Sequence, residues 1–196
     1  MESPFGSTSA HDAVLDFLNT VVSDDGQFAD RLQSDEGVAM WLERAGFMRA
    51  SGGMCEARRV QGLAKEARFL RETIRELLTQ RKSGRKVDAE RLNHVLASGS
   101  YHVELAEDEA GGLRVVRRFS SETPVQILAS VAVAAADLLA RGDFTLIRKC
   151  GCDACPIWFY DRTKGRRRRW CDLARCTNAR RLALQVTPAV ARSTYR

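Results

Sequence analysis

Five of the six cysteines in this chain fall between residues 150 and 176. They form two close groups, Cys150-Gly151-Cys152-Asp153-Ala154-Cys155 and Cys171-Asp172-Leu173-Ala174-Arg175-Cys176, separated by a basic stretch. So short a segment cannot build a hydrophobic core of its own, whereas two thiol pairs at this spacing supply four soft ligands to one tetrahedral Zn²⁺. Disulfides are the alternative, and they need an oxidising compartment. Residues Met1 to Ala13 have neither the basic start nor the apolar run of an export signal, so a cytoplasmic location and a metal are expected. The expected ligands are Cys150, Cys155, Cys171 and Cys176, which gives two matched four-residue gaps. In the other pairing Cys152 replaces Cys150. Cys55 stands alone and reads as a small buried apolar group.

Charge is distributed as unevenly as the cysteines. The net charge is +6, yet residues 146–196 hold 13 Lys and Arg against three Asp, a net +10, leaving 18 basic against 22 acidic residues, −4, on the rest. Between the thiol groups stand Lys164, Arg166, Arg167, Arg168 and Arg169. Guanidinium groups match phosphate geometry and do not lose their charge, so nucleic acid is the first candidate partner. Residues 173–186 follow a helical pattern in which Arg175, Asn178, Arg181 and Gln185 share the side opposite Cys176, Ala179, Ala183 and Val186. Arg and Asn make bidentate contacts to guanine and adenine edges. Duplex DNA is therefore expected to bind with Lys164 and Arg166 to Arg169 on phosphates, and Arg175, Asn178 and Arg181 nearest the bases. Two other readings stay open. One is an RNA-binding module using Trp158, Phe159 and Tyr160 as stacking surfaces; the other is a protein-interaction finger for an acidic partner.

The remaining chain reads as a separate unit, giving two expected domains, 1–145 and 146–196. Periodicity predicts helices over Asp12 to Val22, from Ser34 or Asp35 to Gly46, along a stripe from Ala57 to Leu78, and over about Asp88 to Ala97. Thr123, Pro124 and Gln126 form a capping box for a further helix through Val125 to Ala140. That stretch carries Gln126, Ser130 and Asp137 and reads as a core helix, so no membrane segment is expected. Partial alternation over Tyr101 to Leu105 and Leu113 to Phe119 predicts a β-hairpin. The fold class is α+β with mostly helices.

Arg71 breaks the apolar stripe, about 20° from Val60 at 100° per residue. It must snorkel out or meet an anion, either Asp16, Asp30 or a small acidic ligand held near Asn19, Thr20 and Trp41. Catalytic signals are missing from the sequence. It has no Gly-rich phosphate loop, no nucleophile elbow and no His-Glu-x-x-His motif. A four-thiolate zinc site also leaves no open coordination position, so an enzyme is not expected.

Arg148 to Arg181, with Phe159 and Asp161 after the first thiol group and Arg168-Arg169-Trp170-Cys171 before Cys176 and Asn178, resembles the CGNR-type zinc finger of bacterial proteins. Leu15-Asp16-Phe17-Leu18-Asn19-Thr20, followed by Asp30 and Trp41-Leu42, resembles the ABATE domain that precedes that finger. Together they cover nearly the whole chain. The resemblance implies a stress-related transcription regulator. It implies one structural zinc in a small C-terminal treble-clef finger that binds DNA, and an N-terminal α+β domain that senses a ligand or serves as scaffold. Two-fold DNA sites would suit a homodimer. Where the family has Cys-Gly-Asn-Arg this chain has Cys176-Thr177-Asn178-Ala179. Arg180 lies one position later, 100° around a helix, so the role of the family arginine does not carry over.

Overall fold

A capping box opens the helix around which the rest is arranged. In the computed structural model, which describes residues 10–24, 27–48, 60–107, 111–152 and 155–172, the Thr123 side chain accepts from the Gln126 backbone while Gln126 accepts from the Thr123 N–H. This helix, Pro124–Arg141, buries Ile127, Leu128, Val131, Ala132, Ala135 and Leu138. By length and composition it could cross a membrane. Here it packs against three other helices.

In chain order the described elements are α1 (Ala10–Leu18), β1 (Val21–Asp24), β2 (Gln27–Asp30), α2 (Asp35–Arg44), α3 (Leu63–Lys82), α4 (Glu90–Ser98), β3 (Tyr101–Glu107), β4 (Leu113–Phe119), α5 (Pro124–Arg141), β5 (Ile147–Lys149) and β6 (Trp158–Tyr160). The α+β class holds, with five helices and three two-stranded antiparallel hairpins among the described residues. Helices α1, α3 and α4 surround α5, and α2 lies on α3. Trp41 on α2 fills the space between Phe17 and Phe47, with ring centroids 4.9 and 5.7 Å away.

Two expected helices differ in extent. The first stops at Leu18 instead of reaching Val22. The Asn19 and Thr20 amides close the last turn on Leu15, Asp16 and Phe17 carbonyls, and Val21 and Val22 pair with Asp30 and Ala29 as a strand, which suits their β-branched side chains. The third begins at Leu63. Gly62, at φ 85°, has the left-handed backbone that turns the chain there. The Asp35 carboxylate, reaching across from α2, accepts from the N–H groups of Gly62 and Ala64 at 3.0 and 2.6 Å and so caps α3 from another helix. Ala57 and Cys55 lie outside the described residues. The second helix, with Ser34 accepting from Gly37 N–H, and the hairpin at 101–119 form where the pattern placed them.

Candidate metal centre and nucleic-acid interface

The hairpin β5–β6 is a wall with a different core on each side. Its register pairs Ile147 with Tyr160, Arg148 with Phe159 and Lys149 with Trp158. Because side chains alternate between faces, Ile147 and Trp158 point one way and Phe159 the other. Ile147 and Trp158 join the core of the helical body, while Phe159 packs with Cys150, Cys152, Cys155, Ile157 and Cys171.

Cys150 follows β5 directly, and its amide donates to Ile157 carbonyl at 2.9 Å, extending the hairpin by one bond. Gly151 N–H donates to Arg169 carbonyl at 2.8 Å, drawing the second thiol segment alongside the first. A Cβ at Gly151 would come within 3.1 Å of that carbonyl oxygen. The Sγ atoms of Cys150, Cys155 and Cys171 then lie within 4.8 Å of one another, with Cys155 and Cys171 3.6 Å apart. Tetrahedral zinc at about 2.3 Å from each sulfur needs sulfurs about 3.8 Å apart, so the three thiols fit. Cys150 is buried, and burial pushes the Cys155 thiol above its ordinary value. Cys152 lies beside this group without joining it, its carbonyl accepting from the Cys155 N–H. Cys176 and the expected helix over 173–186, with Arg175, Asn178 and Arg181, fall outside the described residues.

Asp161 organises the basic loop. It is fully buried, and its carboxylate accepts from Thr163 N–H and hydroxyl, Arg168 N–H and Arg148 Nε. The Thr163 hydrogen bonds foremost, with the Arg168 amide and the Arg148 charge, hold the carboxyl below its ordinary 3.8. A depressed carboxyl contributes stability that is present above the ordinary value and lost as pH falls through the depressed one. Asp161→Asn turns an N–H₂ toward donors and should speed amide exchange at Thr163 and Arg168. Unchanged exchange would mean that the loop is held by something else.

The loop separates its own arginines. Arg168 lies over the Phe159 ring, 4.6 Å from its centroid, and donates to the carbonyls of Trp170 and Cys171, so its guanidinium is engaged by the loop itself. Lys164 and Arg166 to Arg169 are all exposed, so Arg168 differs from its neighbours by its partners and not by burial. Arg169 lies 5.5 Å from the ring centroid of Trp170, itself 40% exposed.

Two family models match this chain. One, ABATE, described as "Putative stress-induced transcription regulator", covers residues 11–142, and the other, the CGNR zinc finger, covers 147–185. The chain belongs to the ABATE family. No curated protein matches it.

The ABATE motif residues are tied into the fold. Asp16 accepts from Trp41 Nε1 at 2.9 Å. Thr20 donates to Phe17 carbonyl and accepts from Arg71. Asp30 receives both terminal nitrogens of Arg71, at 2.7 and 2.9 Å. Burial works against the Arg71 charge, but the hydrogen bonds and field of Asp30 and Glu72 outweigh it and hold the guanidinium above its ordinary value. Burial likewise opposes ionisation of Asp30, and Arg71 with the Leu32 amide holds its carboxyl below the ordinary range. Asn19 is a clamp: Nδ2 donates to Trp158 carbonyl at 2.7 Å while Oδ1 accepts from Trp158 N–H at 2.9 Å. Arg162 adds two 2.7 Å contacts to the Asp12 carboxylate, and Tyr160 meets His11 at 3.4 Å. The finger hairpin is thus fastened to α1 by contacts that no local sequence signal announces. The four expected pocket residues all have partners within the protein. Arg71 and Thr20 bond each other, Trp41 bonds Asp16, and Asn19 faces the finger.

Proposed function

We propose that Cys150, Cys155 and Cys171, with Cys176 as fourth ligand, hold one structural Zn²⁺ in a treble-clef finger, and that the zinc-loaded finger binds duplex DNA as part of a stress-responsive transcription regulator in the cytoplasm. The observation that carries this is the three-thiol cluster within 4.8 Å, set beside a loop exposing Lys164, Arg166, Arg167 and Arg169. Zinc gives the segment its fold and leaves no open position for hydrolytic chemistry; no catalytic role is proposed. Lys164, Arg166, Arg167 and Arg169 take phosphates, Arg168 shapes the loop, and Arg175, Asn178 and Arg181 face the bases. The helical domain is read as the scaffold that presents the finger. A small acidic ligand at Arg71 would have to displace Asp30, which already holds both terminal nitrogens.

Four phosphate contacts give a slope of about −3.6 in log affinity against log salt. Neutralising Arg166 and Arg169 together should bring that slope to about −1.8 and weaken all sequences alike. Asn178→Ala should instead change base preference by about 1–3 kcal/mol with no change of slope. If both variants bind duplex like the parent, the finger is not the contact surface. A second reading has one observation in its favour: exposed Trp170 beside Arg169 offers a stacking platform for single-stranded RNA. Trp158 and Phe159 are buried and offer none.

A further inference from the structure

The ribbon β3–β4 presents the wrong side to water. Its register pairs Tyr101 with Phe119, Val103 with Arg117, Leu105 with Val115 and Glu107 with Leu113, so these eight residues share one face. The other face holds Glu104, Val116 and Arg118 and is the one that leans on the body: Val116 is buried, β4 touches α5, and Arg118 donates to Glu104 at 2.7 Å. An antiparallel ribbon with one wet side ordinarily turns its apolar face inward. Here Val103, Leu105, Leu113 and Val115 are 62, 64, 68 and 69% exposed, and Tyr101 is 48% exposed.

We propose that this face is the contact surface of a homodimer, in which two ribbons stack face to face across a two-fold axis. Together the five side chains offer on the order of 600 Å², at the upper end of the roughly 300–600 Å² of the largest patch on a typical monomer and approaching the roughly 800 Å² each partner gives to a standard interface. The charges select a second copy of this chain. Apart from its apolar residues and aromatic rings the face carries Glu107 at one end and Arg117 beside Val103. Antiparallel stacking centred on the Leu105–Val115 pair puts each Glu107 level with the partner's Arg117, twice by symmetry, and sets no like charges against each other. A strongly acidic or basic partner would meet a repelled group in either case. A lone two-stranded ribbon is marginal in water, and a second layer about 10 Å away covers it as in a sheet sandwich. The proposal does not depend on what the finger binds, though a dimer would carry two fingers.

The test uses the zinc-loaded full chain, with its mass followed by sedimentation equilibrium across the micromolar range. Twice the chain mass is expected. Leu105→Glu with Val115→Glu should raise the dissociation constant at least about a hundredfold without altering helix content or metal content. Glu107→Arg and Arg117→Glu should each weaken association about tenfold and restore it when combined. This second pair keeps the test decisive if the glutamates disturb folding. A monomeric parent throughout the range, undiminished association of the glutamate variant, or a charge swap that fails to restore the dimer would each overturn the proposal.

Discussion

Cys150→Ser should release the zinc and, with it, the order of residues 150–152, 155–157 and 161–172. Structural zinc contributes about 10–16 kcal/mol of apparent binding energy in fingers of this size, and serine oxygen does not replace a thiolate. Cys150 is the most buried of the three clustered thiols, and its neighbour Gly151 anchors the second thiol segment through Arg169 carbonyl. Cys152→Ser should keep the metal. The β5–β6 hairpin should stay docked in chelator, because Ile147 and Trp158 lie in the helical core and Asn19 grips both polar groups of the Trp158 backbone. Metal content and amide exchange read both effects. Release of metal by Cys152→Ser with retention by Cys150→Ser would exchange the two ligands. Collapse of the whole chain in chelator would contradict a helical unit that folds independently of zinc.

Asp30→Ala carries the next largest expected effect. Arg71 is 4% exposed, and without Asp30 its guanidinium keeps only Thr20 and Glu72. Leaving a buried charge without its partner costs about 3 kcal/mol, whereas replacing both members by apolar groups is close to neutral. Denaturant unfolding of the helical domain should therefore show a large loss for Asp30→Ala and much of it recovered in Asp30→Ala with Arg71→Met. The same pair sets an acid limit. Because Asp30 sits below its ordinary 3.8, its contribution is present above that value and disappears as pH falls through the lowered one. A loss under about 1 kcal/mol would mean that water reaches Arg71.

Local patterns in the sequence located much of this. The capping box at Thr123, the stripe through Leu63, Leu70, Ile74 and Leu77, and the alternation at 101–119 are short-range signals, and each formed its element. Arg71 inside the stripe announced an anion, and Asp30 supplies it. The hairpin β1–β2 had a signal that the helical pattern of α1 overrode: Val21-Val22 are β-branched, and Asp25-Gly26 is a hairpin-turn dipeptide, itself outside the described residues. Two features had no local signal. Asn19 meets Trp158 across 139 positions, and nothing near either residue encodes that meeting. Arg166 to Arg169 are identical in sequence, and only the fold, through Phe159 and the carbonyls of Trp170 and Cys171, gives Arg168 partners within the loop.

The most direct measurement offers the zinc-loaded chain duplex DNA, single-stranded RNA and an acidic polypeptide at one moderate salt concentration. The zinc-finger reading predicts that duplex DNA binds most tightly and that chelation abolishes the binding. A tenfold preference for the RNA, about 1.4 kcal/mol, or binding confined to the acidic polypeptide, would contradict it.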